Sequence, residues 1–164
     1  MKKEVFMKVF HEFPPVFDEN SKILILGSIP SIKSREEGFY YMHPKNRFWK
    51  VLEEVFQEEI SDKKDFCLQH SIALWDTCAS CEIHASSDAS IKNIVPNDLS
   101  VILQKAKIKQ IFTTGKKAHD IYQKYLFPIY KKEDICLSST SPANARKGVE
   151  DLVLEYQILK KYVK

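Results

Sequence analysis

The feature that most narrows the folds open to this chain is a set of four short apolar runs, each cut off abruptly and each followed by residues with helical or loop character. Lys22-Ile23-Leu24-Ile25-Leu26 halts at Gly27, Ser71-Ile72-Ala73-Leu74-Trp75 at Asp76, Gln110-Ile111-Phe112-Thr113 just before Gly115, and Ile135-Cys136-Leu137 at Ser138. Runs this short, without polar alternation, are what strands buried on both faces require. Between them, Phe48, Leu52, Val55 and Phe56 recur at helical spacing, with Pro44 as a first-turn residue. Ser61 can cap a second helix to about His70. Asn97 can cap a third that carries Leu99, Ile102, Leu103 and Ala106 on one face. A fourth helix runs to Tyr125, and Val149, Leu152, Val153, Tyr156 and Leu159 mark a closing one. Residues 77–95 carry neither pattern and read as irregular.

Alternating strands and helices predict an α/β fold, a three-layer α/β/α sandwich around a mainly parallel four-stranded sheet with right-handed crossovers. No linker, repeat or low-complexity tract interrupts it, so residues 1–164 read as one domain. Ligands of such sheets bind beyond the carboxyl ends of the strands. The chemistry is therefore expected after Gly27, Asp76, Gly115 and Ser138.

Composition removes several classes of function. With 164 residues, 44% apolar, the chain can bury a sizeable core. No apolar run reaches the length of a membrane span, and the opening MKKEVFMKVFHEF has no signal-peptide core, which predicts a cytoplasmic, intracellular protein without a membrane partner. Cys78 and Cys81 form a CxxC, but no second pair completes a four-ligand site, so the four cysteines are expected as free thiols, with neither metal nor cofactor. The net charge of +3 is too mild to imply nucleic acid by itself. The three arginines, Arg35, Arg47 and Arg146, all fall in or beside two unusual loops, which points to an anion.

The first loop, Gly27 to Trp49, packs Phe39, Tyr40, Tyr41, His43 and Asn46 into one strand-to-helix connection and matches neither a dinucleotide fingerprint nor a P-loop. Aromatic rings beside small and hydrogen-bonding residues suit a pocket that stacks a planar base and reads its edge. For any single one of these rings, covering the core is the commoner role. The second loop, Ser138-Ser-Thr-Ser-Pro-Ala-Asn-Ala-Arg146, is rich in hydroxyls, free of glycine and stiffened by Pro142. Its hydroxyls and backbone amides could grip phosphates, or it could be an ordinary turn before a helix.

Gly27-Ser-Ile-Pro-Ser31, Gly38 to Trp49, Leu74-Trp-Asp76 and Ser139-Thr-Ser-Pro-Ala-Asn144 resemble the motifs of the uracil-DNA glycosylase superfamily, most closely its deoxyinosine (hypoxanthine) branch. The segment Gly38-Phe-Tyr-Tyr-Met-His-Pro-Lys-Asn-Arg-Phe-Trp49 is also similar to the GFPFAHPANRFW block of mismatch-specific uracil glycosylases. The motifs stand in order at strand ends across residues 23–146.

The resemblance implies a DNA-repair enzyme that flips a damaged base out of DNA and hydrolyses its N-glycosidic bond. Its partner would be DNA carrying that base, and it is expected to act as a monomer. Gly27, Ser28, Pro30 and Ser31 would form the pocket floor. Tyr41 would stack on the base, with His43 nearby, and Trp75 and Asp76 would lie along its edge. Ser139, Ser141 and Asn144, with Arg47 and Arg146, would hold the DNA backbone. Where other members place an Asp or Asn in the first motif, this chain has Ser28, so the catalytic duty passes to Asn46. The second loop offers only Pro142, Ala143 and Asn144 in place of a bulky wedge, which favours bases that are already poorly paired.

Three rival readings follow from the same residues. One is a glycosylase for uracil or for thymine in a mismatch, another a non-catalytic nucleic-acid-binding module, and the third a hydrolase of free nucleosides.

Overall fold

A computed structural model describes residues 7–11, 13–83 and 91–164. The four apolar runs form one parallel sheet of β2 (Ile23–Gly27), β3 (Ile72–Asp76), β6 (Gln110–Thr114) and β7 (Asp134–Leu137), in the order β3-β2-β6-β7. β2 registers Leu26 on Trp75 and Gly27 on Asp76, so the first and second motifs end side by side. Every residue of β2 and β3 is buried, which requires cover on both faces. Helices provide it, and the expected three-layer α/β/α arrangement is what forms. Among them are α2 (Phe48–Phe56) and α7 (Val149–Tyr156), which pack on each other, α3 (Lys63–Gln69) against β3, and α5 (Lys116–Ile121) against β6 and β7.

A second sheet stands where the sequence reads as irregular. β1 (Met7–Phe10), β4 (Cys78–Ile83) and β5 (Lys92–Pro96) form an antiparallel sheet in the order β1-β4-β5. Its pattern is hard to read because β4 is built of small residues and its pairing with β5 is shifted twice. Residues 84–90, within the stretch read as irregular, lie outside the described residues. β4 begins one residue after β3, and the turn is held by Thr77 N–H to Gly27 O at 2.7 Å and by the buried Asn97 amide, which donates to Asp76 O and Cys78 O.

Three helix starts differ from expectation, and at each a different side chain, Asp98, Asp62 or Asn46, takes a free N–H. Asn97 is committed to β3 and β4, so Asp98 takes the Ser100 N–H at the short helix α4 (Ser100–Leu103). Asp62, not Ser61, caps α3. Pro44 lies in a turn, and α2 begins only at Phe48. The fourth helix runs beyond Tyr125, through a π-helical turn at Tyr122–Leu126 into α6 (Phe127–Tyr130). Among the described residues no helix is long and apolar enough to cross a membrane. Cys67, Cys78 and Cys81 are buried thiols and Cys136 is exposed. Burial pushes the Cys67 thiol up to about 12, which keeps it protonated and inert.

Candidate active site

A cavity of about 490 Å³ opens at the carboxyl ends of β2, β3, β6 and β7, within the size range of small-molecule sites. Gly27, Ser28, Pro30 and Ser31 line it from the first motif, Tyr41 and Asn46 from the long loop, Asp76 from β3, and Ser139 and Ser141 from the second loop. Nine of the residues singled out in the sequence thus meet in one place.

The floor depends on a missing side chain. A Cβ on Gly27 would collide with Asp76 Oδ1 and would lie 3.4 Å from the Tyr41 hydroxyl. Glycine is what lets the carboxylate approach β2. Asp76 is buried, its Oδ2 is 2.7 Å from His11 Nε2, and no described residue donates to its Oδ1. His11 is the residue that sequence reasoning missed, and its only signal would have been a polar residue placed just after a strand.

Tyr41 sits in the left-handed backbone region at φ 55°, held by its hydroxyl 3.2 Å from Thr114 Oγ1. Phe48 stacks on one face of its ring at 3.8 Å and 18°, and Tyr41 also lines the cavity. Burial, then the Asp76 charge, raises the Tyr41 phenol above its ordinary value, so the hydroxyl stays neutral. Its neighbours do what the commoner role predicts. Phe39 stacks on Trp49, and Tyr40 is buried with its hydroxyl on Pro14 O.

Asn46 lies before α2 and not in its first turn. Its Oδ1 accepts from Phe48 N–H at 2.9 Å and from Thr140 Oγ1 at 2.8 Å, so it both caps the helix and ties the two loops together. With the amide oxygen doubly engaged, Nδ2 is the group left to face a ligand, as a donor only.

Three expected site residues are relocated. Trp75 belongs to the core, because neighbours on a strand point to opposite faces and Asp76 takes the cavity side. His43 is exposed, outside the cavity lining, with its Nδ1 accepting from Lys45 N–H. Arg47 does not present its fork to solvent. It donates from Nε to Thr140 O, from Nη2 to Ser141 O and Asn144 O, and from Nη1 to Lys147 O, which templates the second loop. Asn144 also serves that loop, through Nδ2 to Ser139 O. Arg146 is exposed. Arg35, at the end of the one-turn-plus helix α1 (Ile32–Glu37), lines the cavity with its Nε buried and without a hydrogen-bond partner among the described residues.

Comparison with known proteins agrees with this fold. The model of the uracil DNA glycosylase superfamily matches residues 14–161. A hypoxanthine DNA glycosylase of Methanosarcina barkeri (strain Fusaro / DSM 804) is 34% identical over 140 residues, covering 82% of this chain and 87% of its own. The protein of the same description from Methanosarcina acetivorans is 36% identical over the same shares. The solution NMR structure of a candidate uracil DNA glycosylase from Methanosarcina acetivorans superposes with a TM-score of 0.76 at 31% identity, covering 94% of this chain and 99% of that one.

Proposed function

The chain belongs to the uracil DNA glycosylase superfamily, and on that premise we propose that it is a DNA N-glycosylase that hydrolyses the bond between deoxyribose and a deaminated base, hypoxanthine foremost. The observation that carries this reading is the meeting, in one cavity, of an Asp76 oxygen without a donor among the described residues, an Asn46 amide whose oxygen is already engaged, and the ring of Tyr41.

Glycosidic cleavage proceeds through an oxocarbenium-like state while negative charge leaves on the base. It needs a water placed below the sugar carbon and donors for the departing base, and no strong nucleophile. Asn46 Nδ2 supplies such a donor, pre-oriented by the two bonds to its own oxygen, and the work requires no metal or cofactor. Tyr41 stacks the flipped base. Ser28, Pro30 and Ser31 close the floor around it.

Asp76 Oδ1 reads the base edge. Deamination of adenine turns the N1 acceptor into an N–H donor, and a carboxylate oxygen pairs with the donor and repels the acceptor. The same oxygen fits N3–H of uracil and thymine, which makes a mismatch uracil or thymine glycosylase the second reading. The hydroxyls of Ser139 and Ser141 and the guanidinium groups of Arg146 and Arg35 meet phosphates. Arg47 and Asn144 shape the loop that carries those hydroxyls. We further propose that the protein works inside the cell as a monomer and folds as a single domain.

The test is free-base release from matched duplexes carrying hypoxanthine, xanthine, uracil or thymine. Hypoxanthine should be released fastest, and no release from any duplex would leave only a binding module. Asn46→Ala should bind damaged duplex normally and cleave it about a hundredfold more slowly, the scale of losing one preorganised donor. A loss merely proportional to the unfolded fraction would make Asn46 a helix cap and nothing more.

A further inference from the structure

His11 lies 65 residues from Asp76 in sequence, yet its ring is the partner of that carboxylate. The antiparallel side sheet brings it there. β1 registers Phe10 on Ser80 of β4, and the His11 N–H continues the ladder to Ala79 O at 2.8 Å, which sets the imidazole behind the end of β3. The ring is held on several sides, with centroids of Phe13 at 4.5 Å, Tyr40 at 5.8 Å and Trp75 at 6.4 Å. Its side chain is 2% exposed, and Asp76's is 6%. Packing alone would be served by an apolar residue. Instead the site keeps an imidazole whose Nδ1 is buried with no partner among the described residues, an unfavourable arrangement that calls for a reason.

We propose that His11 is a positioning residue for base selection: it donates from Nε2 to Asp76 Oδ2 and thereby holds the carboxyl group as a pure acceptor, with Oδ1 turned to the imino N–H of the deaminated base. This rests on the base-edge role of Asp76 proposed above. A carboxyl group that carried the proton itself would offer both a donor and an acceptor, and the donor would suit the bare N1 of adenine. The imidazole keeps the proton of the pair at Oδ2, on the side away from the base, and leaves Oδ1 with lone pairs alone to offer. One fixed donor behind the carboxylate therefore makes the site answer to the single change that deamination makes at the ring nitrogen, from acceptor to donor. It selects imino bases as a class and leaves the choice among them to the shape of the cavity.

The experiment compares wild type with His11→Leu, His11→Asn, His11→Gln and Asp76→Ala. Single-turnover release of hypoxanthine and of adenine is measured from the same duplex position, alongside duplex affinity. Glutamine can place an amide nitrogen where the imidazole Nε2 stands, and asparagine is one methylene too short. His11→Leu and His11→Asn should lose about a hundredfold in hypoxanthine release with duplex affinity unchanged, and their preference for hypoxanthine over adenine should fall in step. His11→Gln should recover to within about tenfold of wild type. The contrast between Asn and Gln carries the test by itself if the leucine chain does not fold. Equal rates for Asn and Gln, or wild-type rates and selectivity in all three, overturn the inference. Slow Asp76→Ala beside indifferent His11 variants overturns it alone, whereas Asp76→Ala at the wild-type rate removes the base-edge reading itself.

Discussion

His119 Nδ1 meets Asp134 Oδ2 at 2.7 Å, the same separation as His11 Nε2 from Asp76 Oδ2, yet the two pairs are finished differently. Asp134 has a donor on each oxygen, with Thr113 Oγ1 donating to the same oxygen at 2.6 Å and Gln123 Nε2 to the other at 2.7 Å. Its side chain is wholly buried, and the cavity lining does not include it. Asp76 keeps one oxygen without a donor among the described residues, and its side chain lines the cavity. A buried carboxylate with side-chain donors on both oxygens is holding the fold. One left open toward a cavity is waiting for a ligand.

The contrast is sharpest in mutants. Asp134→Ala strands Thr113 and Gln123 in the interior and should cost about 3 kcal/mol of unfolding free energy, while the folded fraction cleaves hypoxanthine duplex at the wild-type rate. A slowed rate per folded molecule would break the distinction. Asp76→Ala should do the reverse, losing about a hundredfold in base release per folded molecule, with equilibrium unfolding measured alongside to separate the two effects.

Arg35 is the cationic counterpart of the open Asp76 oxygen, since its Nε equally lacks a hydrogen-bond partner among the described residues. Arg35→Ala should lower affinity for all duplex sequences alike and reduce the salt slope of binding by about one, leaving single-turnover release unchanged at saturating enzyme. A sequence-selective loss would count against a phosphate contact.

The smallest effect belongs to a third carboxylate that is satisfied but half-exposed. Glu155 accepts from Ser138 N–H at 2.5 Å, Ser138 Oγ at 2.8 Å and Lys147 Nζ at 2.8 Å. Burial pushes its carboxyl up, but the Lys147 ammonium and the Ser138 donors outweigh that and hold it below its ordinary 4.5. A carboxyl lowered on folding stabilises the native state above its unfolded value, and that contribution is lost as pH falls through the lowered one. Unfolding midpoints should therefore decline slightly more steeply below about pH 4.5 in wild type than in Glu155→Gln. Parallel curves would show that Glu155 does not anchor the loop.

What was legible in the sequence follows from where its physics is local. β2, β3, β6 and β7 announce themselves because strands covered on both faces must be apolar throughout. The loops after them were legible as a site because aromatics, hydroxyls and a glycine crowd strand ends where ligands bind. β4 and β5 were not, since small residues and a shifted register leave no alternation to read. Asn46 looked like a residue inside a helix because Pro44 resembles a helix start, but its oxygen is claimed by Thr140 from 94 residues away. His11, Arg47 and Trp75 were misread or missed for a related reason, as the first two are defined by distant partners and the third by which face of a strand it takes.

The Arg47 clamp has a consequence for how such a protein can change over generations. All four of its acceptors are backbone carbonyls, of Thr140, Ser141, Asn144 and Lys147. The arginine reads the path of the second loop and is blind to the identity of the side chains at Ser141, Asn144 and Lys147. Lineages that keep the Asn144 and Lys147 contacts can therefore vary the side chain at Ser141, and with it the grip on the nucleic acid, without losing the clamp. Arg47 itself has no such freedom, and a variant there should mask the effects of substitutions in the loop, a non-additivity between two motifs nearly a hundred residues apart.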